Sequence, residues 1–241
     1  MFVTIMFVMS PQRPRSRRDR PAKPPLSREW IVDTALQILR TDGMAKVTVR
    51  RVAQQLDTGP ASLYVYIANT AELHSALLDR LLADLPRTED GDWSASVVQT
   101  LMDYSALLTT YPGLARSAMT IRPTGPNILR LVDHLLDLMI TGGVPADRAA
   151  WGADLLILIA TADAAEHGPS DGSDPNASSD DEDEWQTVIE AARNADAETL
   201  PRLAEHSDLI ISGEPDERQR WALRATLAGI AATPTNASGE E

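Results

Sequence analysis

The chain has 241 residues, 43% of them hydrophobic, enough for one or two packed domains. Its 22 Lys and Arg face 35 Asp and Glu, a formal net charge of -13 that excludes indiscriminate nucleic-acid binding, because phosphate repels an acidic surface. The absence of cysteine excludes disulfides, thiolate catalysis and cysteine-based zinc sites, and no apolar run is long enough to span a bilayer.

The chain opens on nine apolar residues, Met1 to Met9, with no leading basic residue and no small-residue cleavage site, so they do not read as a secretory signal. A soluble, cytoplasmic protein is expected. Residues 1–25 form a basic arm whose second part, from Ser10 to Pro25, is too rich in proline and charge to pack and is expected to be disordered. Ser27 caps a helix running from Arg28 to Arg40, with Ile31, Ala35, Ile38 and Leu39 on its apolar face and Gly43 ending it. Thr48 opens a second, short helix whose stripe is Val49, Val52, Ala53 and Leu56, leaving Arg50, Arg51, Gln54 and Gln55 on the wet side. Asp57-Thr58-Gly59-Pro60 stops that helix and starts a third, barely two turns long, in which Leu63 and Ile67 point inward. Two short helices joined by a tight polar turn are the layout of a DNA-reading helix-turn-helix. An ordinary helical corner with tyrosines at its rim is the competing reading of the motif alone. Asn69 or Thr70 caps a fourth helix from Ala71 to about Leu85, lined by Leu73, Leu77, Leu78, Leu81 and Leu82, and Pro86 closes the unit.

In Ala35 to Gly43, Thr48 to Leu56, Ala61 to Tyr66 and Asn69, the chain resembles the TetR family of transcriptional regulators, over residues 27–85 and in the family's order and spacing. The resemblance implies a dimeric repressor. It also implies an all-α fold, in which an N-terminal three-helix helix-turn-helix domain is joined by a helix to an α-helical ligand-binding and dimerisation domain. Carried over by position, Arg50 is a groove or phosphate contact, and Gly59, Pro60, Ala61, Ser62, Tyr64, Val65 and Tyr66 form the recognition surface. Thr48, Arg51 and Thr70 are expected among the DNA-binding residues as well. Two positions depart from the family's usual pattern: Asp57 stands where many members have glycine, and Thr70 where many have lysine, leaving one hydroxyl in place of a phosphate anchor. The recognition helix lacks Arg, Lys, Asn and Gln, the side chains suited to bidentate base contacts, so specificity leans on Arg50, thymine methyls or residues outside the motif.

Charge is unevenly spread. Residues 1–87 hold 13 Lys and Arg against 8 Asp and Glu, while residues 88–241 hold 9 against 27. A basic reading head on an acidic body is the expectation. Arg13, Arg15, Arg17, Arg18, Arg20 and Lys23 of the arm are expected to fold onto DNA, with one or more of Arg15, Arg17, Arg18 and Arg20 in the minor groove. A tail that contacts nothing is the alternative.

The helix-turn-helix domain is placed at 26–86 and the effector-binding and dimerisation domain at 87–232, with a disordered tail at 233–241. Candidate helices of the body run near 92–110, 114–119, 126–141, 146–167, 184–195, 197–211 and 215–232, punctuated by Pro and Gly. The polar, acidic stretch 168–184 reads as a mobile loop, and its carboxylate spacing does not match a calcium site. Leu155 to Ile159 is apolar all round, implying burial on more than one side of its helix, and the last helix presents Trp221, Ala225 and Ala228 on one face. The resemblance implies that these two helices pair with their symmetry mates, so Leu155, Leu158, Trp221, Ala225 and Ala228 are expected at a homodimer interface.

Met102, Tyr104, Met119, His134, Met139 and Trp151 lie on or beside apolar stretches and are candidates to line an effector pocket. His134 with Asp133 and Asp137, and Asp163 with Glu166 and His167, read as solvated helix rims rather than metal sites, and no cofactor is expected. No nucleophile elbow, phosphate loop or metalloprotease motif is present, so the chain is not read as an enzyme. The expected partners are inverted-repeat double-stranded DNA, a small-molecule effector and a second copy of the chain, with no membrane. An all-helical adaptor, or an activator with the same head, is the alternative.

Overall fold

The computed structural model describes residues 25–87, 91–169 and 181–235. The basic arm up to residue 24, the centre of the acidic stretch and the last six residues lie outside the described part. Within it the chain is all-helical.

Helix α1 (Arg28–Asp42) begins where the Ser27 hydroxyl accepts the Trp30 N–H at 3.1 Å, and ends at Gly43, whose φ of +81° suits a residue without Cβ. Ile31, Ala35, Ile38 and Leu39 are buried, as the spacing predicts. Thr48 opens α2 (Val49–Gln55) by accepting the Arg51 N–H at 3.1 Å, and Val49, Val52, Ala53 and Leu56 enter the same core. The turn then runs through Asp57 in the left-handed region at φ +49°, a conformation that Asp tolerates better than most non-glycine residues.

Helix α3 (Pro60–Leu63) is shorter than expected, a single α turn continued by turns through Tyr66. Gly59 offers no capping side chain and Pro60 no N–H, so little local bonding propagates the helix. Leu63 and Ile67 hold the segment down, both fully buried. Helix α4 (Thr70–Leu81) is capped by Asn69, whose side chain accepts the Glu72 N–H at 2.8 Å, while Glu72 accepts the Ala68 N–H at 2.7 Å. It tightens into a 3-10 turn over Leu82–Asp84.

The body holds α5 (Trp93–Thr109), α6 (Leu114–Thr120), α7 (Pro126–Thr141), α8 (Ala146–His167), α9 (Asp181–Arg193), α10 (Pro201–Ile210) and α11 (Pro215–Ala232). Helix α8 is the hub, packing on α5, α6, α7 and α11. Its small residues allow this: Ala149, Gly152, Ala153, Ala160 and Ala164 are buried, and a Cβ on Gly152 would lie 2.7 Å from Ile230 of α11. Helix α9 starts at Asp181, inside the stretch read as loop, and packs on α10. Leu156 is buried, but Leu155 and Leu158 are exposed, so the apolar run of α8 is covered on one side only in the single chain.

Head and body meet along α4. His74 bridges them, with Nε2 2.8 Å from the Val47 carbonyl and Nδ1 3.0 Å from the Ser117 hydroxyl of α6. A carbonyl only accepts, so Nε2 carries the proton and Nδ1 accepts from Ser117. Burial holds the His74 pKa below its ordinary value, against the opposing pull of the Val47 bond.

Two predictions follow from these local geometries. Asp57→Val is expected to lower unfolding stability by roughly 1–2 kcal/mol, because a β-branched side chain resists the left-handed region, whereas Asp57→Asn changes little; urea denaturation reads both. The depressed His74 pKa makes its contribution fully present above the unfolded value of 6.5 and lost as pH falls toward the folded value, since the unfolded chain takes up the proton first. Urea midpoints at neutral and mildly acidic pH are expected to converge in His74→Gln relative to the native chain.

Candidate nucleic-acid interface and internal cavity

The turn between α2 and α3 opens onto a surface cleft of about 640 Å³ lined by Arg50, Gln54, Asp57, Thr58, Gly59 and Pro60. Beside it Tyr64, Val65 and Tyr66 are 55%, 80% and 38% exposed. Aromatic and branched side chains left in water at the end of a one-turn helix do nothing for the core, which Leu63 and Ile67 already fill. Ala61 and Ser62 are exposed on the same segment, and Thr70 is exposed at the start of α4.

Arg50 is exposed and has no partner among the described residues. Arg51 is held at 3.0 Å by Asp42. The Thr48 oxygen is engaged as a cap but keeps its own proton to donate. The structure therefore brings Arg50, Gly59, Pro60 and the tyrosine segment to one surface and ties Arg51 back toward α1.

Charge within the head differs from the sequence expectation. Residues 25–87 hold seven basic and seven acidic side chains, so the excess of five positive charges lies wholly in residues 1–24. Arg15, Arg17, Arg18 and Arg20 belong to that segment, outside the described residues. The folded head is balanced rather than basic.

A cavity of about 160 Å³, open to solvent on the side of Pro86, Arg87 and Arg130, lies between the end of α4, α5 and α7. Leu82, Leu85 and Pro86 of the connector and Leu131 of α7 give it apolar walls. Its polar lining is Thr100 from α5 with Asn127, Arg130 and His134 from α7, and Arg87 stands at its edge. Thr100 Oγ1 and His134 Nε2 are buried there without a hydrogen-bond partner, a condition that costs free energy unless something else satisfies them.

One wall of the cavity is clamped to the head. The buried Asp79 carboxylate of α4 accepts the Asn127 and Ile128 N–H groups at 2.8 and 3.0 Å, while the Asn127 amide donates to the Asp79 carbonyl at 2.8 Å. Asp79 thus caps α7 from another helix, because Gly125 at the N-cap has no side chain and Pro126 has no N–H. A Cβ on Gly125 would lie 2.1 Å from the Asp79 carboxyl carbon, so glycine is required at this contact.

Of the six residues expected to line an effector pocket, His134 borders this cavity. The other five lie elsewhere. Met102, Tyr104 and Met139 fill the core, and the Tyr104 hydroxyl is spent on Thr161 at 3.0 Å. Met119 is exposed on α6, and Trp151 points outward at i, i+4, i+7 spacing with Leu155 and Leu158. Periodicity identified apolar faces but not which face borders a void. Thr100 and Asp79 were legible in principle as polar interruptions of apolar stripes, between Val98 and Leu101 and between Leu78 and Leu81.

The α8 stripe of Trp151, Leu155 and Leu158 is matched on α11 by Trp221, 72% exposed, with exposed Ala225 and Ala228. The two helices pack on each other. Asp163 and His167 pair weakly at 3.7 Å on the exposed end of α8.

Residues 31–77 match the family model for bacterial regulatory proteins of the tetR family, and residues 85–233 match the tetracyclin repressor-like C-terminal domain. The chain is 32% identical over 129 residues to the HTH-type transcriptional repressor DrrR1 of Streptomyces coeruleorubidus, spanning 51% of this chain and about half, 47%, of that protein. It is 26% identical to the class C tetracycline repressor protein of Escherichia coli over 85% of this chain and 90% of that one. Among solved structures, ActR of Streptomyces coelicolor in complex with actinorhodin superposes with a TM-score of 0.72 at 30% identity, covering 89% of this chain and 99% of that one. The Streptomyces protein SCO7704 superposes with a TM-score of 0.74 at 45% identity, over 88% and 98%. Head, connector and helical body together place the chain in the TetR family of bacterial transcriptional regulators.

Proposed function

We propose that the chain is a homodimeric repressor working in the cytoplasm, held on an inverted-repeat operator through its two heads and released when a small molecule enters the cavity between α4, α5 and α7. The observation that carries this reading is the Tyr64-Val65-Tyr66 segment, exposed after a one-turn helix that packs through Leu63, beside an Arg50 with no partner among the described residues. In this reading Arg50, Gly59, Pro60, Ala61, Ser62, Tyr64, Val65 and Tyr66 meet the major groove, Thr48, Arg51 and Thr70 meet phosphates, and Arg15, Arg17, Arg18 and Arg20 reach the minor groove. The domain limits are those read above, 26–86 for the head and 87–232 for the body, with α9 inside the latter.

The exposed stripes of α8 and α11 support pairing with a second copy, since a monomer leaves Trp151, Leu155, Leu158 and Trp221 in water. Relatives named as repressors, and ActR solved with actinorhodin, support a ligand-released switch. Asp79 supplies the connection: a ligand that shifts the first turn of α7 pulls on α4, and α4 carries the head. The effector acts through its differential affinity for two spacings of the heads, whatever its absolute affinity.

Tyr64→Ala and Arg50→Ala are expected to weaken operator binding by about tenfold or more in a gel shift while sedimentation still reports a dimer. Leu158→Glu and Ala225→Glu are expected to dissociate the dimer first and lose DNA as a result. Equal loss of dimer in all four variants contradicts this division. Deleting residues 1–24 is expected to lower affinity and flatten its salt dependence, with the slope falling by about 0.9 per phosphate contact removed; an unchanged slope assigns the arm no contact.

A further inference from the structure

We propose that the cavity between α4, α5 and α7 takes a single-ring organic anion, an aromatic carboxylate in chemical class, with its ring against the leucines and its carboxylate on Thr100, His134 and Arg130. This rests on the effector-released reading above and adds the chemistry of the ligand.

The first ground is hydrogen bonding. Thr34, Thr110 and Thr161 each donate their hydroxyl to the carbonyl four residues back, the ordinary fate of a helical threonine. Thr100 does not: its hydroxyl is fully buried on the cavity wall and has no partner. His134 Nε2 is in the same position. Each can donate one proton, and a carboxylate accepts both without bringing a donor of its own.

The second ground is charge. The body is strongly acidic, yet the cavity lining holds two arginines, Arg87 and Arg130, and no Asp or Glu. Arg130 spends one N–H on the side-chain amide oxygen of Asn127 and keeps others free to face an anion. The third ground is size. A volume of about 160 Å³ is close to the roughly 150 Å³ that holds one benzene ring, and Leu82, Leu85 and Leu131 give that ring apolar contacts.

Isothermal titration of the full chain with benzoate, benzamide and acetate tests this. Benzoate is expected to bind saturably, one per chain, and benzamide and acetate at least tenfold more weakly. Thr100→Val is expected to weaken benzoate about tenfold, the loss of a hydrogen bond to a charged group, and Thr100→Ser to keep it. Arg130→Gln is expected to bring benzoate down toward benzamide. Equal binding of benzoate and benzamide overturns the anion assignment, and saturable binding that survives both Thr100→Val and Arg130→Gln overturns its location. No benzoate binding at millimolar concentration by a protein that still shifts its operator overturns the ligand class and leaves the repressor reading standing; loss of operator binding in the untreated native chain is the separate failure of that reading.

Discussion

The Asp79 carboxylate joins two helices that the chain separates by about 48 residues, and the relation of head to body rests on that joint. Helix α7 starts on a glycine without a side chain and a proline without an N–H, leaving the Asn127 and Ile128 amides with nothing local to accept them. Asp79 supplies the acceptor from α4, adds a negative charge where the dipole of α7 favours one, and requires Gly125 to stay bare. Leaving the two amides unsatisfied in the interior would cost about 1–3 kcal/mol each, so α4 and α7 move together or the bond breaks. His74 makes a second attachment from α4 to α6 and to the loop before α2. Through these two side chains the packing of the body is mechanically visible to the helix-turn-helix.

This arrangement explains why a small void matters. The cavity sits one helical turn from the clasp, and Asn127 belongs to both, lining the one and donating to the other. A group that competes for Asn127 or Arg130 acts directly on the fastening of α4. By contrast the core around α8 is closed by small buried residues, Ala149, Gly152, Ala153, Ala160 and Ala164.

Much of the fold was readable before any coordinates. Capping residues Ser27, Thr48 and Asn69 and the leucine stripe of α4 mark their elements because those signals are local. The exposed surface around α3 was legible for the same reason: a polar turn and a short helix with exposed tyrosines are neighbours in sequence. The cavity was not. Its wall combines residues from 82 to 134, and whether an inward residue meets a neighbour or a void is a property of helix packing that no periodicity encodes. Tyr104 and Met139 obey the same apolar pattern as a pocket residue would, yet they are core. The length of α3 was also misjudged, because the pattern counts inward residues and not the missing bonds at Gly59 and Pro60.

The balance of seven positive and seven negative side chains in residues 25–87 has a consequence for how DNA is searched. Attraction to random sequence depends on neutralised phosphates, and a folded head without excess charge has little to offer a helix it does not fit. On the proposed reading, residence on non-target DNA falls to residues 1–24, and recognition of the target to the exposed surface around α3. A protein divided in this way can lengthen or shorten its sliding along the chromosome by mutation in one segment without altering which sequence makes it stop.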